Sequence, residues 1–450
     1  MEDIEARGDN VDLQHLADIL EIKSKEFSKP NQTLDREGRV LQDLDKTDVK
    51  VLTEPKVMTA QESILPPGVP ITIETATAIR STLFASVQHT FDQEWRKATF
   101  TFQDMKSPCP YGIRIRKDGS RGVSYCVQAH VLKHLMFKDE LQSFTSTTTT
   151  STAQQTSKLK PTEMERSKAL ASAICEILWR AGEEKKAVLT LPGSHPQFRV
   201  DPKEFRTDGF LEKLMLHEFD DFQLFSTYIR RNINLFEKED GSGVLLFIYS
   251  LILSRDIHRL VNDLEDDKLL TPYDWVSFAM VNLILTGKAC PRINEGTVKL
   301  DRKGEPIGYP TPSPKGRSDI GLLFFDKEEE EKKRTRVGTM LRTPKYPIWV
   351  THINSKVTGV MFSPSLDLMS DWRREHRFTL YYYTGLHMVR HDGPVEHAKL
   401  TIDTREKTGI SFTTKKSHED KEKNMPVLER VIYTKWPGAE IDWHGMMPFV

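Results

Sequence analysis

The sequence predicts an α+β fold in which one large domain follows an N-terminal tail. Apolar residues at helical spacing dominate residues 75–285. Strand-like segments dominate the last third of the chain, for example 346–362 and 377–384. Residues 73–450 show no internal repeat and no convincing domain break, so we expect a single domain over that range.

The N-terminal residues 1–72 are predicted to form a largely disordered acidic tail. Phe27 is the single aromatic residue among them, so they hold too little apolar surface to offset the entropy of the chain. Two loops within the domain, 143–158 and 326–336, are also predicted to be flexible. The first is a low-complexity Ser/Thr tract and the second is a run of charges.

Helices are predicted where apolar side chains recur every three or four residues. The first prediction is one continuous helix from residue 75 onward, whose apolar ladder is Ile79, Leu83, Val87, Phe91 and Trp95. Further helices are expected over 162–181, 210–236, 244–262 and 275–285. These helices supply most of the apolar side chains of the first two thirds of the chain.

Strands are predicted where short apolar or alternating runs lie between turn residues. The expected strand segments are 99–104, 187–202 with its turn, 377–384 and 397–401. Residues 346–362 are consistent with two strands or with one strand bulged at Gly359. Near the C-terminus, Trp436 and Trp443 are expected to pack in the core.

The overall charge is balanced, because 64 Lys and Arg residues face 65 Asp and Glu residues and the net charge is -1. No global field therefore favours nucleic acid or an anionic membrane. The chain begins with acidic residues and its longest apolar run is short, so we expect an intracellular protein, cytoplasmic or nuclear. Four cysteines without a paired spacing agree with a reducing compartment: Cys109, Cys126, Cys175 and Cys290.

Residues 111–137 are the centre of the prediction. An extended segment is followed by a turn at 117–120 and then by a helix. The apolar ladder of that helix is Val123, Val127, Val131 and Leu135. A turn that places a residue at a helix N-terminus is where cysteine hydrolases hold their nucleophile, because the N–H groups there favour a thiolate. In this chain that residue is Arg121.

These segments resemble the MINDY family of deubiquitinating cysteine proteases, in particular the inactive B form of its fourth branch. The resemblance runs through residues 73–450 in a constant order. Its motifs are FDQEWRKATFTF, the YGI…KxG…GV…VQA segment, GVLLFIYSLILSR, VNLILTGKA, RSDIG, VGTMLRTPKYPIWV, FTLYYYTGL, LTIDT and TKWPGAEIDWHG. Nine motifs in one order make the resemblance specific.

The resemblance implies a papain-like fold that cleaves isopeptide bonds in lysine-48-linked ubiquitin chains without a cofactor or metal. In the family, a cysteine follows a Gly-rich turn, a glutamine lies six residues earlier, and a histidine lies on a late strand. The cysteine attacks, the histidine acts as base, and the glutamine stabilises the oxyanion.

Carried onto this sequence, all three catalytic positions of the family are replaced. Arg121 occupies the cysteine position, Ile115 the glutamine position and Lys356 the histidine position. The turn before the cysteine position also differs from the family pattern, with Asp118 and Ser120 in place of glycine and proline. We therefore expect no catalytic residue in this chain.

Three arrangements could in principle restore chemistry. Cys126 with His130 and His134 has the spacing of a Cys/His pair or of a CxxxHxxxH metal trio, although structural packing is the expectation favoured here. Ser120 and Lys356 could form a Ser–Lys dyad.

The third arrangement uses His352 as the base, because in an unbroken strand His352 faces the same side as Lys356. Arg121 itself has two interpretations. In the first, it fills the vacant cleft or pairs with Asp118. In the second, it blocks the channel for a ubiquitin tail or pairs with an acidic partner.

The favoured hypothesis is an inactive ubiquitin carboxyl-terminal hydrolase that is not an enzyme but binds ubiquitin or lysine-48-linked polyubiquitin. One alternative is a residual lysine-48-linked polyubiquitin deubiquitinase with a non-standard nucleophile. The other is an interaction scaffold that no longer binds ubiquitin. Nothing in the sequence defines the oligomeric state.

Overall fold

A computed structural model describes residues 66–137, 158–293, 299–300, 306–307, 316–328, 337–386, 389–390, 393–394, 397–405 and 425–448. Residues 66–450 form one compact unit. Residues 66–72 of the predicted tail are described and include the strand Val69–Pro70. The rest of that tail and almost all of the predicted loops 143–158 and 326–336 lie outside the described residues. The disorder and flexibility expected there therefore stay predictions.

The described residues contain eleven α-helices. They are α1 Ile73–Phe84, α2 Gln93–Arg96, α3 Arg121–Met136, α4 Glu163–Ala181, α5 Phe222–Asn232, α6 Asn234–Glu237, α7 Gly243–Arg255, α8 Ile257–Leu264, α9 Phe278–Thr286, α10 Thr339–Arg342 and α11 Val427–Tyr433. Within these residues, no helix combines the length and apolar character that crossing a membrane requires.

The main sheet has six strands: β6 Gly321–Phe325, β7 Ile348–Ile353, β8 Lys356–Phe362, β9 Arg377–Tyr383, β12 His397–Asp403 and β13 Glu440–Asp442. Their order across the sheet is β13-β12-β9-β8-β7-β6. Strands β6 and β7 are parallel and every other neighbouring pair is antiparallel.

A second sheet pairs β1 Val69–Pro70, β3 Leu214–Phe219 and β2 Ala187–Pro192. Two short hairpins complete the described strands: β4 Lys299–Leu300 with β5 Pro306–Ile307, and β10 Val389–Arg390 with β11 Gly393–Pro394. Mixed helices and strands in one compact unit agree with the α+β prediction.

The six-stranded sheet separates two apolar clusters. Successive strand residues point to opposite faces, so Leu322 belongs to the larger, helix-covered cluster and Leu323 to the smaller one. Helix α11 packs against β6 and β7, and its side chains belong to the smaller cluster. Trp436 and Trp443 lie in that cluster and are buried, which confirms that both tryptophans pack.

Helix α3 lies at the centre of the larger cluster. Its residues Val123, Val127 and Val131 are fully buried, as the ladder predicts. It packs against α4, α9, β7 and β8, so it is covered by helices on one side and by the sheet on the other. Because most of its surface is buried, the position of its first residue is fixed by the core.

The predicted continuous helix from residue 75 to Trp95 is wrong. Helix α1 ends at Phe84, because Ala85 adopts a left-handed conformation with φ 59°. A new helix, α2, begins when the Asp92 side chain accepts a hydrogen bond of 2.8 Å from the Trp95 N–H. Phe91 and Trp95 are still buried, so the apolar ladder correctly reported burial but not helical conformation.

Three other predicted helices have different bounds. Residues 210–236 contain β3, because Leu214–Phe219 pairs with β2. The helix predicted over 244–262 is split at Asp256, whose φ is 70°. The helix predicted to begin at Trp275 begins at Phe278, because Ser277 caps it by accepting from the Met280 N–H at 3.3 Å.

The segments 99–104 and 346–362 differ in how far they form the predicted strands. Residues 99–104 form only an isolated bridge, between Phe102 and Ile113. Residues 346–362 do contain two strands, β7 and β8, joined by a tight turn in which Asn354 and Ser355 have φ 45° and 64°. Positive φ at both central residues is the signature of the type I′ hairpin. The ladder is irregular next to Gly359, where β8 has one residue more than β7.

The segment before α3 is anchored to the end of β9 by hydroxyl groups. The buried Tyr383 Oη donates to the Ile113 carbonyl oxygen at 2.7 Å. The buried Tyr125 Oη, on α3, donates to the Thr384 carbonyl oxygen at 2.7 Å. A Cβ atom at Gly112 would lie 2.2 Å from the Tyr383 ring, so only glycine fits there.

Replacing Tyr383 by phenylalanine is expected to lower the free energy of unfolding by about 1–3 kcal/mol, because the Ile113 carbonyl loses a buried donor. Tyr381→Phe on the same strand is the matched control, since the described residues offer its half-buried hydroxyl no hydrogen bond. Urea unfolding followed by circular dichroism measures both. Equal losses in the two variants would contradict the assigned anchor.

Candidate functional site

The turn before α3 is organised by Asp118. Its Oδ1 accepts from the Ser120 N–H at 2.9 Å and from the Ser120 Oγ–H at 2.5 Å. Its Oδ2 accepts from Arg116 Nε at 3.0 Å. The expectation that Arg121 pairs with Asp118 is therefore wrong, because Arg116 is the cationic partner of that carboxylate.

Arg121 and Lys356 meet on the indole of Trp275. The Arg121 Cζ lies 4.8 Å from the centre of the Trp275 ring and the Lys356 Nζ lies 4.4 Å from it. Both distances are typical of cation–π interactions. The Arg121 Nε is shielded from solvent and has no hydrogen-bond partner among the described residues. The structure thus brings together two of the three predicted site residues around a third residue that the prediction did not include.

Trp275 belongs to a compact loop over residues 271–275, called here the tryptophan turn. The Thr271 N–H donates to the Trp275 carbonyl at 2.8 Å, and the Trp275 N–H donates to Thr271 Oγ1 at 3.1 Å. Asp274 adopts a left-handed φ of 58°. These contacts hold the indole in a turn and not in the helix that was predicted to include it.

The residues around the tryptophan turn cover the start of α3. A Cβ atom at Gly119 would lie 2.1 Å from the Asp274 carbonyl oxygen, and one at Gly122 would lie 2.7 Å from Val276 Cβ. Both glycines therefore allow close packing that any other residue would prevent. The start of α3, where the motif resemblance predicts a replaced nucleophile position, is covered by the residues that flank Trp275.

Ile115 contacts Gly385, after the end of β9, and not the Trp275 ring on which Arg121 and Lys356 meet. It is 6% exposed, its N–H donates to the Gly385 carbonyl oxygen at 3.3 Å, and its side chain packs against Gly385. The buried Gln103 Nε2 donates to the same carbonyl at 3.3 Å. The side-chain amide of Gln103, which lies near Ile115, therefore already donates to a backbone carbonyl. The Ile115 side chain itself offers no donor.

Cys126 is fully buried, and burial raises the pKa of its thiol far above the usual range. The two histidines that follow are paired elsewhere. A 3.0 Å hydrogen bond joins His130 Nδ1 to the Cys126 carbonyl oxygen, and Arg180 Nη1 donates to His130 Nε2 at 3.2 Å. His134 Nε2 pairs with Glu176 at 2.9 Å. These residues do not form the Cys/His pair or the metal trio that their spacing allowed.

The Ser120–Lys356 dyad is not formed either. Ser120 is 1% exposed and its hydroxyl donates to Asp118, while the Lys356 ammonium lies on Trp275. Within the part of the chain that the structure describes, no group of three His, Cys, Asp or Glu side chains could hold a metal ion.

His352 lies in an aromatic layer on β7. Its ring centre is 4.4 Å from that of Phe278 and 5.5 Å from that of Phe324. Burial lowers the pKa of His352 to about 4. The strand is not continuous to Lys356, as the hypothesis of a His352 base required. His352 pairs with Val357, whereas Lys356 pairs with the neighbouring Ile353 beyond the hairpin turn.

Trp275 is the site residue that sequence reasoning missed. Because Trp275 is apolar and lies just before the apolar residues 278–286, periodicity predicted a helix that begins at Trp275 instead of Phe278. Those signals were present, because Pro272 and Asp274 are turn residues and Ser277 is a strong helix N-cap. They would have placed Trp275 before the helix, although not against Arg121.

Comparison with known proteins identifies the family of this chain. A family model described as "Deubiquitinating enzyme MINDY-3/4, conserved domain" matches residues 80–445. The chain therefore belongs to the MINDY family of deubiquitinating enzymes, as the motifs indicated. No solved structure matches the chain significantly.

Individual relatives agree with this assignment. The chain is 32% identical over 440 residues to the probable ubiquitin carboxyl-terminal hydrolase MINDY-4 of Xenopus tropicalis, which covers 96% of this chain and 54% of the relative. It is 32% identical over 427 residues to the protein of the same name from Homo sapiens, covering 94% and 52%. The ubiquitin carboxyl-terminal hydrolase MINDY-3 of Xenopus tropicalis is 28% identical over 207 residues, covering 45% and 40%. The chain spans about half the length of the MINDY-4 relatives.

A cysteine introduced by Arg121→Cys is expected to react with iodoacetamide in the folded protein, because a helix N-terminus favours the thiolate. All four native cysteines are buried, so the wild type should react slowly. Adding Trp275→Ala should speed the reaction severalfold by uncovering the thiol, whereas Tyr273→Ala, at an 84% exposed residue of the same turn, should not. Intact-protein mass spectrometry measures the rates. An unchanged rate after Trp275→Ala would show that the indole does not cover this position.

His352 should make folding stability depend on pH. An unfolded histidine takes up its proton near pH 6.5, but the folded residue does so only near pH 4. The associated stability is full above about pH 6.5 and is lost as pH falls to 4, by about 3 kcal/mol. His352→Phe should lack this loss, and the exposed His195→Gln should retain it. Urea unfolding at pH 7, 5.5 and 4.5 tests this; parallel profiles for wild type and His352→Phe would contradict it.

Proposed function

We propose that this chain is a catalytically inactive MINDY-family protein with a papain-like fold that binds ubiquitin or lysine-48-linked polyubiquitin. The observation that carries the proposal is the meeting of the Arg121 guanidinium and the Lys356 ammonium on Trp275, beside the start of α3. In the family pattern, these two positions hold the nucleophile and its base. Two cationic groups in their place cannot perform that chemistry.

Each catalytic role of the family pattern is filled here by an unsuitable side chain. Acyl transfer needs a nucleophile, a base that removes its proton and a donor for the oxyanion. Guanidinium and ammonium groups have donors and no acceptor, so neither can attack a carbonyl or remove a proton. Ile115 contributes a hydrocarbon side chain where the family has an amide donor. The proposal therefore assigns the inactivity to three side chains and not to a loss of the fold.

The alternative of a residual deubiquitinase lacks a nucleophile among the described residues near α3. Cys126 is fully buried within the helix and its thiol pKa is raised. Ser120 is buried and hydrogen-bonded to Asp118. A ubiquitin chain could reach neither group without rearrangement of the core. The inactive assignment is therefore the one that the site supports.

Ubiquitin binding rests on family membership. The family model spans residues 80–445, and the relatives are called ubiquitin carboxyl-terminal hydrolases. The preference for the lysine-48 linkage comes from the resemblance of the motifs. We further propose an intracellular location, cytoplasmic or nuclear, because the four cysteines are unpaired thiols.

Catalysis should return when the three positions are restored together. Wild-type protein incubated overnight with lysine-48-linked tetra-ubiquitin is expected to release no shorter chains, because it has neither nucleophile nor base. The variant Ile115→Gln/Arg121→Cys/Lys356→His should cleave the chains. The matched control Ile115→Gln/Arg121→Ala/Lys356→His lacks the thiol and should not. Gel electrophoresis of the products measures all three.

Two outcomes would contradict separate parts of the proposal. Wild-type cleavage that survives Cys126→Ala and Ser120→Ala would overturn the inactive assignment. Calorimetric titration with lysine-48-linked chains that detects no binding at high micromolar concentration would remove ubiquitin as a partner. That second result would leave the interaction scaffold as the remaining hypothesis.

A further inference from the structure

A large open pocket lies beside the tryptophan turn. Its volume is about 870 Å³, at the upper end of the range for ligand pockets and large enough for several side chains. The end of α1, residues 266–279 and the ends of β6 and β7 form its walls. It adjoins Trp275 on both sides in sequence, because Asp274 and Val276 line it.

Carboxylates dominate the rim of this pocket. Asp266, Asp267 and Glu328 line it and have no ion-pair partner among the described residues. Asp274 also lines it, 3.0 Å from His89 Nε2. Among the residues that the structure describes, the acidic side chains of the lining are Asp266, Asp267, Asp274, Asp326 and Glu328, and the only lysine is Lys268. The rim therefore carries an excess of negative charge although the whole chain is nearly neutral.

The interior of the pocket is aromatic. Phe84, Phe278 and Phe324 line it together with the His352 ring, and the rings of His352, Phe278 and Phe324 contact one another. His352 is 3% exposed, and its Nδ1 is shielded and has no hydrogen-bond partner in the described parts of the chain. An unpaired buried nitrogen is costly unless a donor reaches it, so this side chain independently points to a missing polar partner.

We propose that this pocket binds a basic peptide segment of a partner protein, with an arginine side chain entering over the aromatic interior. An arginine has an apolar stem that packs on aromatic rings and a guanidinium with five donors that pair with carboxylates. Both features match the pocket: phenylalanines inside and unpaired carboxylates at the rim. A nucleic acid or an acidic peptide would be repelled by the same rim.

A metal ion does not fit this pocket, since the described residues offer no three-ligand cluster. The volume exceeds what one side chain fills, so apolar neighbours of the arginine should enter as well. This site goes beyond the proposed function, because it requires neither catalysis nor ubiquitin. Its adjacency to the tryptophan turn means that a bound peptide would contact the residues that cover the start of α3.

The test uses the full chain and a fluorescein-labelled peptide with the sequence Arg-Leu-Arg-Leu-Arg-Leu. Fluorescence polarisation at low ionic strength should show saturable binding that weakens as salt is added, because exposed charge pairs are screened. Peptides with glutamate or citrulline at the arginine positions should not bind. Asp266→Asn/Asp267→Asn should weaken binding by about fivefold. The control Glu218→Gln/Asp220→Asn removes two exposed carboxylates outside the pocket and should leave the affinity unchanged.

The position of the bound peptide is checked by cross-linking with a photo-reactive leucine analogue in the same peptide. Cross-links should map to residues 266–279 and to the ends of β6 and β7. The absence of saturable binding, equal affinity of the two double variants, or cross-links elsewhere would each overturn the proposal. The peptide assay and the calorimetric titration with ubiquitin chains use different ligands, so failure of the peptide to bind contradicts this site and leaves the titration as the test of ubiquitin binding.

Discussion

The contact that the site depends on is the one between two cations and the indole of Trp275. Arg121 is the first residue of a buried 16-residue helix, where the positive end of the helix dipole disfavours a cation. The indole face offsets this by attracting the guanidinium, and it attracts the Lys356 ammonium as well. Changing any one of the three residues alters the environment of the other two.

The scaffold around this contact is rigid for reasons that do not involve catalysis. Helix α3 is enclosed by α4, α9, β7 and β8. The Tyr383 hydroxyl ties β9 to the segment before α3, and the Tyr125 hydroxyl ties α3 itself to the residue after β9. Glycines at 112, 119 and 122 permit the close packing. Side chains at the start of α3 can therefore be exchanged without disturbing the fold, which is how the proposed loss of catalysis is compatible with a retained fold.

Sequence reasoning succeeded where periodicity and burial coincide and failed where a turn interrupts an apolar ladder. The Val123, Val127 and Val131 ladder gave α3 correctly, but the Ile79 to Trp95 ladder crossed a left-handed residue at Ala85 that periodicity cannot detect. The cation pair could not be predicted, because Arg121, Trp275 and Lys356 are distant in sequence and meet only through tertiary packing. The acidic pocket was missed for the same reason.

The central claim is that Arg121 occupies a former nucleophile position at which the chain no longer has chemistry. The most direct test is covalent capture by ubiquitin with an electrophilic alkyne at its C-terminus, followed by intact-protein mass spectrometry. The account predicts no adduct with wild type and an adduct at residue 121 with Arg121→Cys. An adduct on the wild-type protein, or none with Arg121→Cys while that thiol still reacts with iodoacetamide, would contradict it.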